Sequence, residues 1–303
     1  MYLRHLGYAC INRSLEKTTG RTFRLASLSA ERVREVGGAN LDALYDILRW
    51  NVSRNIRFFR VSSGIIPFAS HDEFDLDWQT MFSPKLDRIR AYVEQEGLRV
   101  TLHPGQYTVL TSPKPDVVER AIAELDYQAA FLDAVDPWQG TMTLHVGGAY
   151  GDREAAKDRF ADAFERLSPL SQRCLALEND DTTYGTDEVL AFCQRIGVPM
   201  IFDYFHHTIF PGSDDEGLTE KIEAIVETWD GRVPKFHLSS ARPEGRRTAH
   251  ADLLEESDLQ RFLSIMTDVP VDAPFDVMVE AKEKELAVLP LRSYQAQTQE
   301  VEA

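Results

Sequence analysis

The sequence predicts an α/β fold: a single (β/α)8 TIM barrel with its active site at the carboxyl ends of the parallel strands. Three observations carry this prediction. First, six short apolar runs each end on a residue able to bind a metal: VTLH to His103, TMTLH to His145, CLALE to Glu178, MIFD to Asp203, PKFH to His237 and DVMVE to Glu280. Second, subtracting residue numbers gives gaps of 42, 33, 25, 34 and 43 residues. A strand, a helix and two loops need about 30 or more residues, so each step reads as one β-α unit. Third, two further strand candidates precede the six, which brings the total to the eight of a barrel. The 303 residues suit one barrel of about 250 residues with insertions.

The elements follow in order. HLGYACI, near residues 5 to 11, is a short apolar run before a polar loop. IRFFRVSS, near 56 to 63, is aromatic and β-branched, which favours a strand. Residues 29 to 53 predict a helix capped by Ser29, with Arg32 in its first turn and Leu41, Leu44, Tyr45, Ile47 and Leu48 at helical spacing. Gly37 and Gly38 would bend or split it. Residues 83 to 96 predict a helix opening on Ser83 and Pro84, a cap followed by proline at the first helical position. Residues 115 to 134 open on Pro115 and Asp116. Segments 152 to 167, 186 to 196, 215 to 227 and 255 to 266 complete the helices. Strands alternating with amphipathic helices imply a parallel sheet. The barrel domain is expected over residues 1–290, and 291–303 reads as a polar, frayed tail.

Composition narrows the function. A hydrophobic share of 43% supports a core. No run of about 18 apolar residues exists, so no membrane helix is expected. MYLRHLGYAC lacks a charged region ahead of a long apolar stretch, so no signal peptide is expected. Cys10 and Cys174 fall in predicted strands and Cys193 in a predicted helix, which reads as reduced thiols in a cytoplasmic protein. The net charge of −16 opposes a nucleic-acid partner on its face. Its distribution softens that objection. Arg13, Lys17, Arg21 and Arg24 face only Glu16 in residues 12 to 24, and Arg242, Arg246 and Arg247 face only Glu244 in residues 239 to 250. Both segments would be loops on the catalytic face. Exposed charges are screened beyond about 8–10 Å, so an acidic protein can be basic where it works.

Imidazole and carboxylate without thiolate suit Zn, Mn, Fe or Co. Three histidines and three carboxylates exceed the needs of one ion, so at least two ions with bridging carboxylates are expected, the arrangement used for in-line phosphoryl displacement. His206, three residues after Asp203, would reach the same site from a loop, while His207 would point elsewhere. His250 closes the basic seventh loop. Lys235 shares a strand face with His237 by alternation; a structural lysine paired with a carboxylate is the simpler reading. In HPGQYTVLTSPKP, Gly105 permits a tight turn that projects Gln106 and Tyr107. The tyrosine would either pack on the barrel rim or stack into a gap in a duplex.

HPGQY, LHVGGAYGD, LALEND, FDYFHH, PKFHLSS, GRRTAH and DVMVEAK, with LGYAC at the start and IPFASH at 66 to 71, together resemble the UV damage endonuclease family over about residues 6 to 284. The resemblance implies a (β/α)8 barrel related to the endonuclease IV class. It implies cleavage of DNA immediately 5′ to cyclobutane dimers, 6-4 photoproducts and abasic sites. It also implies two to three divalent ions, with Mn expected ahead of Zn or Co. It assigns His103, His145 and Glu178 to one ion, Glu178, Asp203, His237 and Glu280 to a second, and His206 and His250 to a third. Glu178, Lys235 and His237 would be catalytic, and Lys235 matches a lysine that can carry a carboxyl group. Gln106 and Tyr107 would probe the duplex, Tyr8 and Asn12 would line the lesion pocket, and Arg246 and Arg247 would contact DNA. LGYACIN departs from relatives with proline after the tyrosine, which bears on the loop and not on the metals. The expected partner is damaged double-stranded DNA, bound by a monomer associated with the nucleoid and not with membrane. Three alternatives stay open: an abasic-site endonuclease without dimer activity, a metal-dependent sugar isomerase, and a catalytically inert damage-binding protein.

Overall fold

The computed structural model describes residues 1–242 and 248–295. Eight strands run in chain order around a closed barrel: β1 (Tyr2–Ala9), β2 (Phe58–Arg60), β3 (Arg99–Leu102), β4 (Thr141–His145), β5 (Leu175–Glu178), β6 (Met200–Asp203), β7 (Lys235–Leu238) and β8 (Pro274–Val279). β8 pairs in parallel with β1, and β7 in parallel with β8 and β6. Strands β3, β5, β6 and β7 are buried along their whole length, as expected where both faces of a parallel strand are covered. A small antiparallel ribbon, Ile11–Asn12 with Lys17–Thr18, follows β1.

The helices are α1 (Ala30–Ser53), α2 (Trp78–Glu96), α3 (Pro115–Val135), α4 (Arg153–Glu165), α5 (Pro169–Cys174), α6 (Thr186–Ile196), α7 (Tyr204–Ile209), α8 (Leu218–Glu227), α9 (Glu256–Asp268) and α10 (Glu285–Val288). No helix among the described residues is long and apolar enough to cross a membrane. The Ser29 hydroxyl accepts from Arg32 N, so the predicted cap is present. α1 runs unbroken through Gly37 and Gly38; a Cβ on Gly37 would sit 3.0 Å from the Phe82 ring, so that glycine admits α2 at close range.

Four boundaries differ from the sequence expectation. α2 begins at Trp78, not Ser83, because Asp77 caps it by accepting from Thr80 N. Pro84 therefore lies inside the helix. It has no N–H for the Thr80 carbonyl, and the Ser83 hydroxyl donates to that carbonyl instead, at 3.3 Å. β1 starts at Tyr2 and stops at Ala9, so Cys10 lies beyond it, in the left-handed region at φ 69°. Cys174 ends α5 instead of opening a strand; all three cysteines are free thiols. Past residue 290, Leu291 and Gln295 are buried, and Gln295 Nε2 donates to the Arg4 carbonyl, so 291–295 pack against β1 and do not fray. Residues 296–303 of the expected tail lie outside the described residues.

Packing divides the chain into two compact units. One comprises Met1–Ala9, Leu144–Val146 and Ala176–Ala303. Its core includes Phe262 of α9, edge-on to Phe236 of β7 and Phe275 of β8 at 5.9 and 6.1 Å, and the buried Trp229, whose Nε1 donates to the Met200 carbonyl. Burying a side chain of this size contributes roughly 1.5–3 kcal/mol. The other unit comprises Cys10–Thr143 and Gly147–Leu175. There Tyr127, buried edge-on to Trp78, accepts Ile66 N at 2.9 Å and fixes the segment after β2.

Candidate active site

The first compact unit gathers ionisable side chains at the carboxyl ends of β4 to β8. Glu178 ends β5 and is 1% exposed. His237 Nδ1 lies 2.7 Å from Glu178 Oε1 and 3.3 Å from Glu280 Oε1. His145 Nε2 lies 3.5 Å from Glu178 Oε2, and His206 Nδ1 lies 3.9 Å from Glu178 Oε1. Ligand atoms of Glu178, His237 and Glu280 fall within 4.8 Å of one another, and so do those of Glu178, Asp203 and His206. The rings of His145, His206 and His250 follow in a row, with centroids 5.8 and 6.0 Å apart.

Local structure aims these rings. Asp203 ends β6 and caps the short helix α7, its Oδ1 accepting His206 N at 2.8 Å. The expected loop after Asp203 is thus a helix, and its first turn brings His206 back over Asp203. His206 Nδ1 lies 3.0 Å from the Asn179 carbonyl, and His250 Nδ1 lies 3.0 Å from the Glu280 carbonyl. A carbonyl only accepts, so Nδ1 donates in both rings and Nε2 is the nitrogen left to meet a ligand. His237 instead turns Nδ1 to the carboxylates. His207 points elsewhere, as its spacing suggested: it is buried between Thr186 Oγ1 at 2.9 Å and the Asp214 carbonyl at 3.0 Å.

Asn179 was not singled out in the sequence, yet it joins two strand ends. Its Nδ2 donates to the Asp203 carbonyl at 3.0 Å and its Oδ1 accepts Asp203 N at 2.9 Å. The available signal was its place directly after Glu178 in LALEND; its partner lies 24 residues away in sequence.

Burial and charge oppose each other here. Desolvation pushes the Asp203 carboxyl up; His206 pulls it back, and Glu178 and Glu280 push it further, to about 6. Desolvation disfavours the His206 cation, but Asp203, Glu178, the Asn179 carbonyl and Glu280 together outweigh it and raise the ring to about 9. His237 is lowered, chiefly by desolvation, against the pull of Glu178 and Glu280. Asp203 Oδ2 is fully buried and accepts no hydrogen bond. Three acidic groups crowded with imidazoles, one oxygen lacking a donor, make a donor set that fits divalent cations.

The remaining predicted residues sit as follows. Lys235, fully buried at the start of β7, opposes protonation of His237. His103 lies just past the end of β3, its Nδ1 3.0 Å from the Pro104 carbonyl. Tyr107 is 84% exposed and so does not pack on the rim; Gln106 is exposed beside it. Tyr8 and Asn12 are wholly buried, and Asn12 Oδ1 accepts Leu15 N at 2.8 Å to turn the first loop. Arg246, Arg247 and Glu244 lie outside the described residues. Lys17 of the first basic loop is ion-paired with Asp46.

The sequence and the fold both have known relatives. The model of the UV-endonuclease UvdE family matches residues 4–303. A UV DNA damage endonuclease of Clostridium perfringens is 33% identical over 289 residues, 94% of this chain and 69% of its own length. One from Bacillus cereus is 37% identical over 262 residues, covering 86% and 81%. The crystal structure of SacUVDE superposes with a TM-score of 0.89 at 34% identity, over 97% of this chain and 98% of that one. Endonuclease IV from Thermus thermophilus shares the fold, with a TM-score of 0.60 at 15% identity over 97% and 99% of the two chains. The barrel is thus that of an endonuclease family, and the chain belongs to the UV-endonuclease UvdE family.

Proposed function

We propose that this chain hydrolyses the DNA phosphodiester immediately 5′ to cyclobutane pyrimidine dimers, 6-4 photoproducts and abasic sites, leaving a 3′-hydroxyl and a 5′-phosphate. The observation that carries the reading is the convergence of Glu178, Asp203, Glu280, His145, His206 and His237 at the strand ends of a chain of this family. Two to three divalent ions, Mn first, are the proposed cofactors. Glu178 lies in both ligand clusters of its unit and would bridge two ions. Asp203, His237 and Glu280 would complete one set, His103 and His145 a second, and His206 with His250 a third. A divalent ion supplies water of lowered pKa and neutralises charge that develops on phosphoryl oxygens.

The protein's own groups prepare that chemistry. The carbonyls of Asn179 and Glu280 hold His206 and His250 in the Nε2-ligating tautomer. Burial of Glu178, Asp203 and His237 excludes water that would otherwise screen their charge. Lys235 brings a buried side chain to the same strand face as His237, where a cation would meet an anionic phosphate and a carboxylated amine would add a ligand. Damage would be selected by deformability: a photodimer weakens pairing and stacking, so flipping it out costs less than the few kcal/mol for normal bases. Gln106 and Tyr107 would occupy the resulting gap. Tyr8 and Asn12 would line the lesion pocket. Arg246 and Arg247 would contact the DNA backbone.

The test is a duplex carrying one cyclobutane dimer and no abasic site, incubated with the protein and Mn. The expected result is one nick directly 5′ to the dimer, extendable by a polymerase and abolished by EDTA. Cleavage confined to abasic duplexes would replace the reading with a plain abasic-site endonuclease.

A further inference from the structure

The second compact unit contains a groove of about 600 Å3 that includes none of the candidate metal ligands. That volume falls within the roughly 300–1,000 Å3 of small-molecule sites. Tyr107 and Tyr150 are part of its lining, Val109 and Pro113 contribute apolar surface, and Lys114 and Arg120 supply cations. The mechanism has used Tyr107 but not Tyr150, and Tyr150 is a costly residue to place where it stands. It is 54% exposed and adopts φ 52°, in the left-handed region that a bulky side chain disfavours.

The surrounding loop fixes its ring in position. Gly147 and Gly151, at φ 106° and 87°, make the turns on either side. Gly148 lets the ring approach the backbone: a Cβ there would lie 3.1 Å from Tyr150 Cε2. Arg159 of α4 sets its guanidinium 5.8 Å from the ring centroid while its Nε donates to the Thr111 carbonyl at 2.7 Å. The tyrosine of the loop after β4 is thereby tied to the loop after β3, which carries Tyr107. Two exposed rings on rigidly joined loops, with apolar surface and cations in the same groove, have the composition of a single-stranded nucleic-acid platform: aromatic faces for bases and charges for phosphates.

We infer that this groove receives the unpaired base of the uncut strand, left without a partner opposite the damage, with Tyr150 as its stacking surface. The inference rests on the DNA-nicking reading above and adds a residue that positions the duplex. When a lesion is extruded and Tyr107 enters the gap, the facing base loses its stack. A preformed aromatic wall beside Tyr107 recovers that stacking, which favours the opened duplex over the closed one.

The experiment uses the whole protein with Tyr150→Ala and Tyr150→Phe. The substrates are two dimer-containing duplexes, one with normal bases opposite the dimer and one with baseless residues there. On the first, Tyr150→Ala should weaken binding by about tenfold, the scale of one lost stack, and Tyr150→Phe should bind like the parent. On the second, all three proteins should bind within about twofold of each other. A 2-aminopurine opposite the dimer should stay quenched in the parent complex and brighten with Tyr150→Ala. Equal loss on both duplexes, or no loss on either, overturns the inference. Parent nicking is read in the same tubes: nicking without the Tyr150 effect overturns the groove alone, and absence of parent nicking overturns the parent reading with it.

Discussion

Two aspartates in the same compact unit are both fully buried, and their surroundings could hardly differ more. Asp276, near the start of β8, receives Arg4 in a bidentate pair, Nε to Oδ1 at 2.9 Å and Nη2 to Oδ2 at 2.5 Å. Asp203, at the end of β6, has one oxygen committed to capping α7 and another that accepts no hydrogen bond, with Glu178 and Glu280 close enough to repel it. Removing a carboxylate from water costs several kcal/mol unless it is compensated. The amino ends of the strands compensate Asp276 with protein cations. At the carboxyl ends the compensation is incomplete, and that deficit is the property expected of a site that completes itself with metal.

The largest expected effect comes from removing ligands at the centre of the cluster. Glu178→Ala and His237→Ala should each abolish nicking of a dimer-containing duplex at saturating Mn; full activity in either would break the ligand assignment. Next comes a pair of opposite signs. Asp276→Ala strands Arg4, and breaking a buried pair costs about 3–5 kcal/mol. Arg4 is 23% exposed and can reach water, which places the loss near about 3 kcal/mol, a Tm drop of roughly 6–12 °C. Asp203→Asn, by contrast, should raise the Tm of metal-free protein at pH 8 while weakening Mn binding. A fall in that Tm would show that Asp203 is already compensated, and the contrast would vanish.

A smaller effect is expected where the protein supports ligands without being one. Asn179→Ala should lose about 10–100-fold in Mn affinity, the usual consequence of releasing an outer partner of metal ligands. Titration calorimetry would detect it, and unchanged affinity would show that β6 holds Asp203 unaided. The pH dependence follows from the two raised groups. Folded Asp203 and folded His206 bind protons more tightly than the unfolded chain, so metal-free stability falls as pH rises. The Asp203 contribution is lost between about pH 4 and 6, and the His206 contribution between 6.5 and about 9. Metal replaces those protons, so the Tm increment from Mn should grow over the same windows. Thermal melts from pH 5 to 9.5, with and without Mn, would read it; a flat increment would contradict the coupling. Smallest is Tyr107→Ala, which should weaken binding of damaged DNA more than of undamaged DNA by about the 1–3 kcal/mol of one stacked base. Equal losses on both would remove the probing role.

The barrel was legible because its strands are short apolar runs at regular spacing, and a parallel strand buried on both faces has to look that way. The strand-end residues were legible for the same reason, since the last residue of each run could only face the catalytic end. What escaped depends on partners far along the chain. DYFHH is too short for a periodic signal, so α7 became visible only once Asp203 was seen to cap it. The start of α2 was hidden because Pro84 looks like a helix opening, and only the Ser83 hydroxyl on the Thr80 carbonyl shows how a proline is tolerated inside. Asn179 has no chemistry of its own to attract notice. The choice of Nε2 on His206 and His250 is made by main-chain carbonyls, about which a sequence is silent. Tyr8 and Asn12 bear the same lesson: their motif singles them out, but it does not reveal that both side chains are wholly buried.

The most direct measurement is anomalous diffraction from crystals grown with Mn. Strong peaks on both sides of the Glu178 carboxylate, one reached by His237 Nδ1 and another by His145 Nε2, are the predicted result. Side chains ordered as described, with no anomalous density between them, would contradict the metal centre on which the functional account stands.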